Sequence, residues 1–201
     1  GSGKTIVALL GMIQVIESGG QCAFLAPTEI LAEQHYETLR EFLKGTNVTL
    51  GLVLGKTSKK EKEILRKELE KGSINIAIGT HALLEEDIVF HRLGFVVIDE
   101  QHRFGVEQRQ RLINKGKGVN VLVMSATPIP RSLALTLYGD LDISFLREKP
   151  KERLPIQTKV LSLERLPEVH DALKRAVSED QKVYWVCPLI EESEVLDLGH
   201  I

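Results

Sequence analysis

The chain has 201 residues, 43% apolar and 27% charged, and its acids and bases nearly cancel at a formal net charge of -2. That length holds one α/β domain or one and a part, and the balanced charge excludes a globally basic nucleic-acid binder, so any contact with an anionic polymer has to be local. No apolar run reaches the ~20 residues of a membrane-spanning helix and no signal sequence opens the chain, so the expected compartment is the cytoplasm. Cys22 and Cys187 stand in apolar runs and read as small buried hydrophobes.

Gly1-Ser2-Gly3-Lys4-Thr5 opens the chain, followed by Ile6, Val7, Leu9, Leu10, Ile13 and Ile16 at the spacing of one helix face. This is the second half of a phosphate-binding loop, G-x-x-x-x-G-K-[ST], whose first glycine would precede residue 1. Glycine lets the backbone approach phosphate and the helix start presents free N-H groups. Lys4 reaches the β and γ phosphates, and the Thr5 hydroxyl ligates Mg²⁺. A Gly-Ser-Gly linker is the other reading, but it leaves Lys4, Thr5 and the amphipathic run unexplained.

Gly19-Gly20 ends that helix and residues 21–26 form a buried strand. Pro27-Thr28-Glu29 leads into a helix with Ile30, Leu31, Leu39, Phe42 and Leu43 on its apolar face. Thr28 is its N-cap, and such a strand-to-helix junction can also take a backbone phosphate. Residues 48–54 form a strand. The Gly55-Lys56-Thr57 that follows is not a second phosphate loop, because Leu50 stands where the first glycine is needed. The capping box Ser58 to Glu61 opens a helix to about Lys71, with Ile64, Leu65 and Leu69 inward and a solvated charged face. Residues 74–78 form a strand ending in Gly79-Thr80-His81, a second hydroxyl-bearing junction; with no Cys or His pair at metal spacing, His81 reads as a hydrogen-bonding residue. Residues 83–90 are irregular.

Phe95-Val96-Val97-Ile98 then runs straight into Asp99 and Glu100, the pattern of a buried parallel strand with two acids at its C-terminal end. Ligands of open α/β sheets bind beyond strand C-termini, so Asp99 is placed to hold Mg²⁺ and Glu100 to orient or deprotonate a water. A solvated Asp-Glu turn is the plainer alternative, and Lys4-Thr5 weighs against it. Residues 107–114 read as a helix, 115–118 as an exposed turn and 119–124 as a strand. That strand ends in Ser125-Ala126-Thr127-Pro128-Ile129-Pro130-Arg131, whose hydroxyls could sense what is bound at the acids; a helix over 133–137 and a short strand over 143–146 follow. Residues 147–155 carry two prolines among Lys, Glu and Arg, a linker composition. Residues 157–163 and 182–188 are strand-like, 168–177 helical, and 191–201 a polar acidic tail. The expected organisation is a first lobe over 1–146, a linker over 147–156 and the incomplete start of a second α/β lobe over 157–201.

Together these residues resemble the motor of a superfamily 2 DNA helicase. G-S-G-K-T is similar to its motif I, P-T-E-I-L-A-E-Q-H to motif Ia, G-T-H-A-L to motif Ib, D-E-Q-H to motif II and S-A-T-P-I-P-R to motif III. D-E-Q-H-R-F-G-V with Y-G-D-L-D resembles the RecG type, and Gln101 and His102 distinguish it from the D-E-E-Q-R-F-G-V of the transcription-repair coupling type. The likeness runs from Gly1 to about Glu194. Gly55-Lys56-Thr57 departs from an expected Thr-Gly-Ser, and motifs IV to VI and an upstream wedge domain are not in the chain.

The resemblance implies a RecA-like P-loop NTPase fold, with a parallel sheet and helices on both faces, and ATP and Mg²⁺ as cofactors. It implies nucleotide binding by Gly1, Ser2, Gly3, Lys4 and Thr5, and a metal site of Thr5 and Asp99. Glu100 would activate water, with Asp99 and Lys4 also catalytic, and His102, Ser125 and Thr127 would couple hydrolysis to movement. Pro27, Thr28, Gly79 and Thr80 would line a single-strand track. The implied function is ATP-driven translocation on, and remodelling of, branched DNA such as replication forks and Holliday junctions, in repair and recombination. The implied setting is the bacterial cytoplasm at the nucleoid, with branched and single-stranded DNA and the rest of the parent chain as partners. A double-strand translocase of the coupling type is one alternative. A nucleotide-binding regulatory module that never hydrolyses is another, but it has no use for Glu100. The chain alone is expected to fold around its first lobe and be inactive, since the family places arginine fingers in the rest of the second lobe.

Overall fold

The computed structural model describes residues 3–100, 104–126, 142–146, 148 and 156–186. The chain divides into two compact units, Gly1–Lys151 and Glu152–Ile201. In the first, helix α1 (Lys4–Glu17) closes with Gly19 N-H on the Ile16 carbonyl and Gly20 N-H on the Val15 carbonyl, which reverses the chain directly into β1 (Gln21–Leu25). Then come α2 (Glu29–Phe42), β2 (Leu50–Val53), α3 (Lys59–Lys71), β3 (Ile76–Gly79), a 3-10 turn (His81–Leu84), β4 (Leu93–Asp99), α4 (Val106–Ile113) and β5 (Asn120–Met124). The Ser58-Glu61 capping box forms as the sequence indicates.

The five strands make one sheet in the order β2-β3-β1-β4-β5, every pairing parallel. Strand direction alternates side chains between two cores. Cys22, Phe24, Ile76, Ile78 and Val97 pack with Ala8, Leu9 and Met12 of α1 and Ala32 and Leu39 of α2. Ala23, Leu25, Ala77, Val96 and Ile98 pack on the other face with Leu69 of α3 and Leu112 of α4. Burial on both faces is why these strands read as unbroken apolar runs rather than as alternation. The expected fold class, a parallel sheet with helices on both faces, is the one observed.

The helix faces match the expected ones in part: Leu9, Leu39, Leu43 and Leu69 are buried and Ile13, Ile16, Leu31 and Leu65 pack against the core, but other expected residues do not. In α1, Ile6, Val7 and Leu10 are exposed, and the buried stripe is Ala8, Leu9 and Met12. In α2, Ile30 (77% exposed) and Phe42 point outward, while Ala32 and Leu39 are buried; in α3 Ile64 is exposed. Small residues allow a helix to approach the sheet closely, so bulk alone misplaces the stripe. The 115–118 turn is not simply exposed: Lys115 Nζ reaches back to donate to the Glu85 and Ile88 carbonyls at 2.7 and 2.8 Å. Residues 143–146 form no strand.

The described part of the second unit contains a 3-10 turn (Leu163–Arg165) and helix α5 (Leu166–Ser178), which starts two residues before the expected 168. The strands expected over 157–163 and from 182 through 186 are absent there. Strand-like sequence becomes a strand only when a neighbour takes its backbone groups, and none does in the described residues. The helix expected at 133–137, most of the linker, the acidic tail and Cys187 lie outside the described residues. No helix among the described residues is long and apolar enough to cross a membrane.

Candidate nucleotide site at the carboxyl edge of the sheet

Because every strand runs the same way, their C-termini share one edge. Leu25 sits opposite both Gly79 and Ile98, and Asp99 opposite Met124. Pro27-Thr28, Thr80, Asp99-Glu100 and Ser125 therefore all leave the sheet together. β1 has β3 on one side and β4 on the other, so the chain's winding reverses beside it, where open α/β sheets form their binding crevice. Helix α1 packs on β1 and β4 and runs back against β1. Its 14 residues, at about 1.5 Å each, carry Lys4 and Thr5 to this same edge. Gly3 precedes them in a left-handed conformation, φ 89°, which suits glycine. Among the described residues the first turn of α1 has no side-chain cap hydrogen bond and no acid of its own, so it adds no negative charge to the positive end of the helix dipole. Gly1, Ser2, His102 and Thr127 lie outside the described residues.

The two acids at the end of β4 are held in different ways. Asp99 is buried, and its Oδ2 lies 2.9 Å from His35 Nε2. Glu100 is half-buried and has φ +46°, a left-handed conformation uncommon for a residue with a Cβ. Its Oε1 accepts the Ala126 N-H at 3.2 Å, tying the end of β4 to the end of β5 beside Ser125. A freely solvated turn would need neither the histidine nor the backbone strain.

Of the residues read as a track, Pro27 is half-buried and Thr28 exposed. Thr28 Oγ1 accepts the Leu31 N-H at 3.3 Å, the cap expected of it, and its own O-H can still donate to a phosphate oxygen. Gly79 is buried, and a Cβ there would stand 2.2 Å from the Val53 carbonyl oxygen. Close strand packing therefore requires glycine at that position. Thr80 is 2% exposed, and its hydroxyl has no partner among the described residues. His81 is exposed. The departing loop is pinned to the start of α2: Lys56 Nζ lies 2.7 Å from Glu33 Oε1, and Glu29 Oε1 accepts the Lys56 N-H at 3.2 Å. The Glu33 carboxylate raises the Lys56 pKa above its ordinary value.

Sequence reasoning missed His35 and the Lys56 clamp. The signal for His35 was present, since Ala32, His35 and Leu39 share one helical stripe and its other two members are buried. Thr5 and Asp99 offer the hard oxygens that Mg²⁺ takes. Among the described residues no group of three or more His, Cys, Asp and Glu is arranged to hold a metal ion.

The DEAD/DEAH box helicase profile matches residues 1–136. The chain is 48% identical over 198 residues to the ATP-dependent DNA helicase RecG of Thermotoga maritima, covering 98% of this chain and 25% of that protein. It is 48% identical over 201 residues to the ATP-dependent DNA helicase RecG of Borreliella burgdorferi, covering 100% of this chain and 29% of that protein. A solved structure of RecG bound to a three-way DNA junction is 47% identical with a TM-score of 0.76, covering 89% of this chain and 24% of that one. The chain thus spans about a quarter of the length of these relatives.

Proposed function

Because the chain belongs to the DEAD/DEAH box helicase family, we propose that it is the first motor lobe (1–146), linker (147–156) and beginning of the second lobe (157–201) of a RecG-type ATP-dependent DNA helicase. Gly1, Ser2, Gly3 and the first turn of α1 cradle the phosphates of ATP, and Lys4 neutralises the γ phosphate. Thr5 and Asp99 would hold Mg²⁺, which when bound offsets charge on the phosphate oxygens. Glu100 accepts a proton from the attacking water. His102, Ser125 and Thr127 pass the state of the nucleotide to the neighbouring lobe, and Pro27, Thr28, Gly79 and Thr80 follow one DNA strand through its backbone. The substrate is branched DNA, in line with the relative bound to a three-way junction. The role is fork and junction remodelling in repair and recombination, at the bacterial nucleoid.

The observation that carries this reading is the carboxyl edge of the sheet, where Asp99 held by His35 and Glu100 held by the Ala126 N-H leave adjoining strand ends. The test is ATP turnover by the full-length protein without DNA, with linear duplex and with a three-way junction. Turnover rising most with the junction, and strands separating, is the expected result. Turnover indifferent to DNA would overturn the proposal.

A further inference from the structure

We infer that His35 is a positioning residue for the nucleotide-bound metal: it fixes the Asp99 carboxylate so that one oxygen stays committed to the imidazole and the other faces the ion. The inference rests on the proposed Mg²⁺ role of Asp99. Asp99 can serve a metal only as a carboxylate, which offers acceptors alone, so His35 Nε2 must be the donor across the 2.9 Å contact. Both side chains are only 13% exposed, so little water competes for that oxygen. The imidazole is itself held: its ring lies 4.5 Å from the Phe24 ring, tilted 43°, and Ala32 and Leu39 bury the helical stripe on either side of it. Phe24 sits opposite Val97, two residues before Asp99, so ring and carboxylate rest on adjoining strands of one rigid sheet. A carboxylate pinned at one oxygen loses its torsional freedom before the metal arrives. That is how hydrogen-bonded partners behind a metal ligand raise affinity.

The test uses the full-length protein loaded with a non-hydrolysable ATP analogue, with Mn²⁺ binding followed by electron paramagnetic resonance. His35→Gln keeps an N-H near the position of Nε2, while His35→Leu fills the space without a donor and His35→Asn is too short to reach. The expected result is Mn²⁺ affinity near wild type for His35→Gln and weaker by about 10-fold or more for the other two. Binding of the analogue without metal is expected to be unchanged in all three. Wild-type Mn²⁺ affinity in either His35→Leu or His35→Asn overturns the inference, as does equal weakening in His35→Gln, which would make the effect one of packing. If both the Leu and Asn variants fail to fold, the contact serves the fold and the inference also falls. Asp99→Asn is the reference: if it too binds Mn²⁺ like wild type, the metal reading of Asp99 fails rather than the role of His35 alone.

Discussion

At the scale of single residues, Glu100 does two separable things. Its carboxylate accepts the Ala126 N-H, and it stands at the strand end as the proposed base. Glutamine also offers a carbonyl oxygen to Ala126 but cannot take a proton from water. Glu100→Gln should therefore retain ATP binding within about 2-fold and cut hydrolysis by roughly 10²-fold, the scale of a lost general base. Single-turnover phosphate release beside a fluorescent-nucleotide titration measures both, and unimpaired release would remove Glu100 from the role. Thr80 presents the opposite case, a buried hydroxyl with no partner among the described residues. An unpaired buried hydroxyl costs about 1–3 kcal/mol. Thr80→Val should raise the melting temperature and, if the hydroxyl turns to a phosphate when DNA arrives, weaken single-strand affinity at fixed salt. A variant neither more stable nor weaker in binding would refute both halves. Cys22 is a core thiol whose pKa burial pushes up from 9.0 to about 12. The unfolded thiol ionises first, so this contribution to stability is complete below pH 9 and is lost as pH climbs toward 12. Cys22 should accordingly resist an aromatic disulfide reagent at pH 8 until the protein is unfolded.

At the scale of elements, the sheet's carboxyl edge is built by close backbone approach. Gly79 ends β3 against the Val53 carbonyl of β2, with no volume for a methyl group. Gly79→Ala should cost about 2–3 kcal/mol, the overpacking range, whereas Ser58→Ala, which removes the α3 capping box on the surface, should cost about 1 kcal/mol. Urea unfolding of both variants checks the order; equal losses would mean that β2 and β3 shift apart at little cost. The comparison also bears on function, because a DNA-binding defect in Gly79→Ala would combine a displaced sheet edge with any disturbance of the proposed strand track.

At the scale of the whole molecule, the described part of the first unit has a core on each face of its sheet, while that of the second unit has a helix and a 3-10 turn with Tyr184 and Val186 exposed. The proposed chemistry would need charge stabilisation by an arginine of the second lobe, as the resemblance implies, and such an arginine is worth about 10³ to 10⁵ in rate. The 201-residue chain purified alone should show a cooperative folding transition and background phosphate release, unchanged by a three-way junction. DNA-stimulated release from it would show that one lobe suffices.

The fold class was legible in the sequence because apolar runs such as Phe95-Val96-Val97-Ile98 can be satisfied only by burial on both faces, and the acids and hydroxyls that follow such runs fall at strand ends. Glycine, lysine and threonine at the start of an amphipathic helix, with Asp99 and Glu100 after a strand, outline the proposed nucleotide site on the same grounds. The inward helix faces were legible only in part: Leu9, Leu39, Leu43 and Leu69 are buried as expected, but Ala8 and Ala32 take inward places by closeness to the sheet while the bulkier Leu10 and Ile30 are exposed. Nor was it legible that residues 157–163 and 182–186 form no strand, because a strand-like run needs a neighbour to take its backbone groups. The pairing of His35 with Asp99 joins residues 64 apart in the chain. Only the packing of α2 on the sheet, with His35 against the Phe24 ring of β1, brings the imidazole and the carboxylate together, so that contact belongs to the tertiary structure alone.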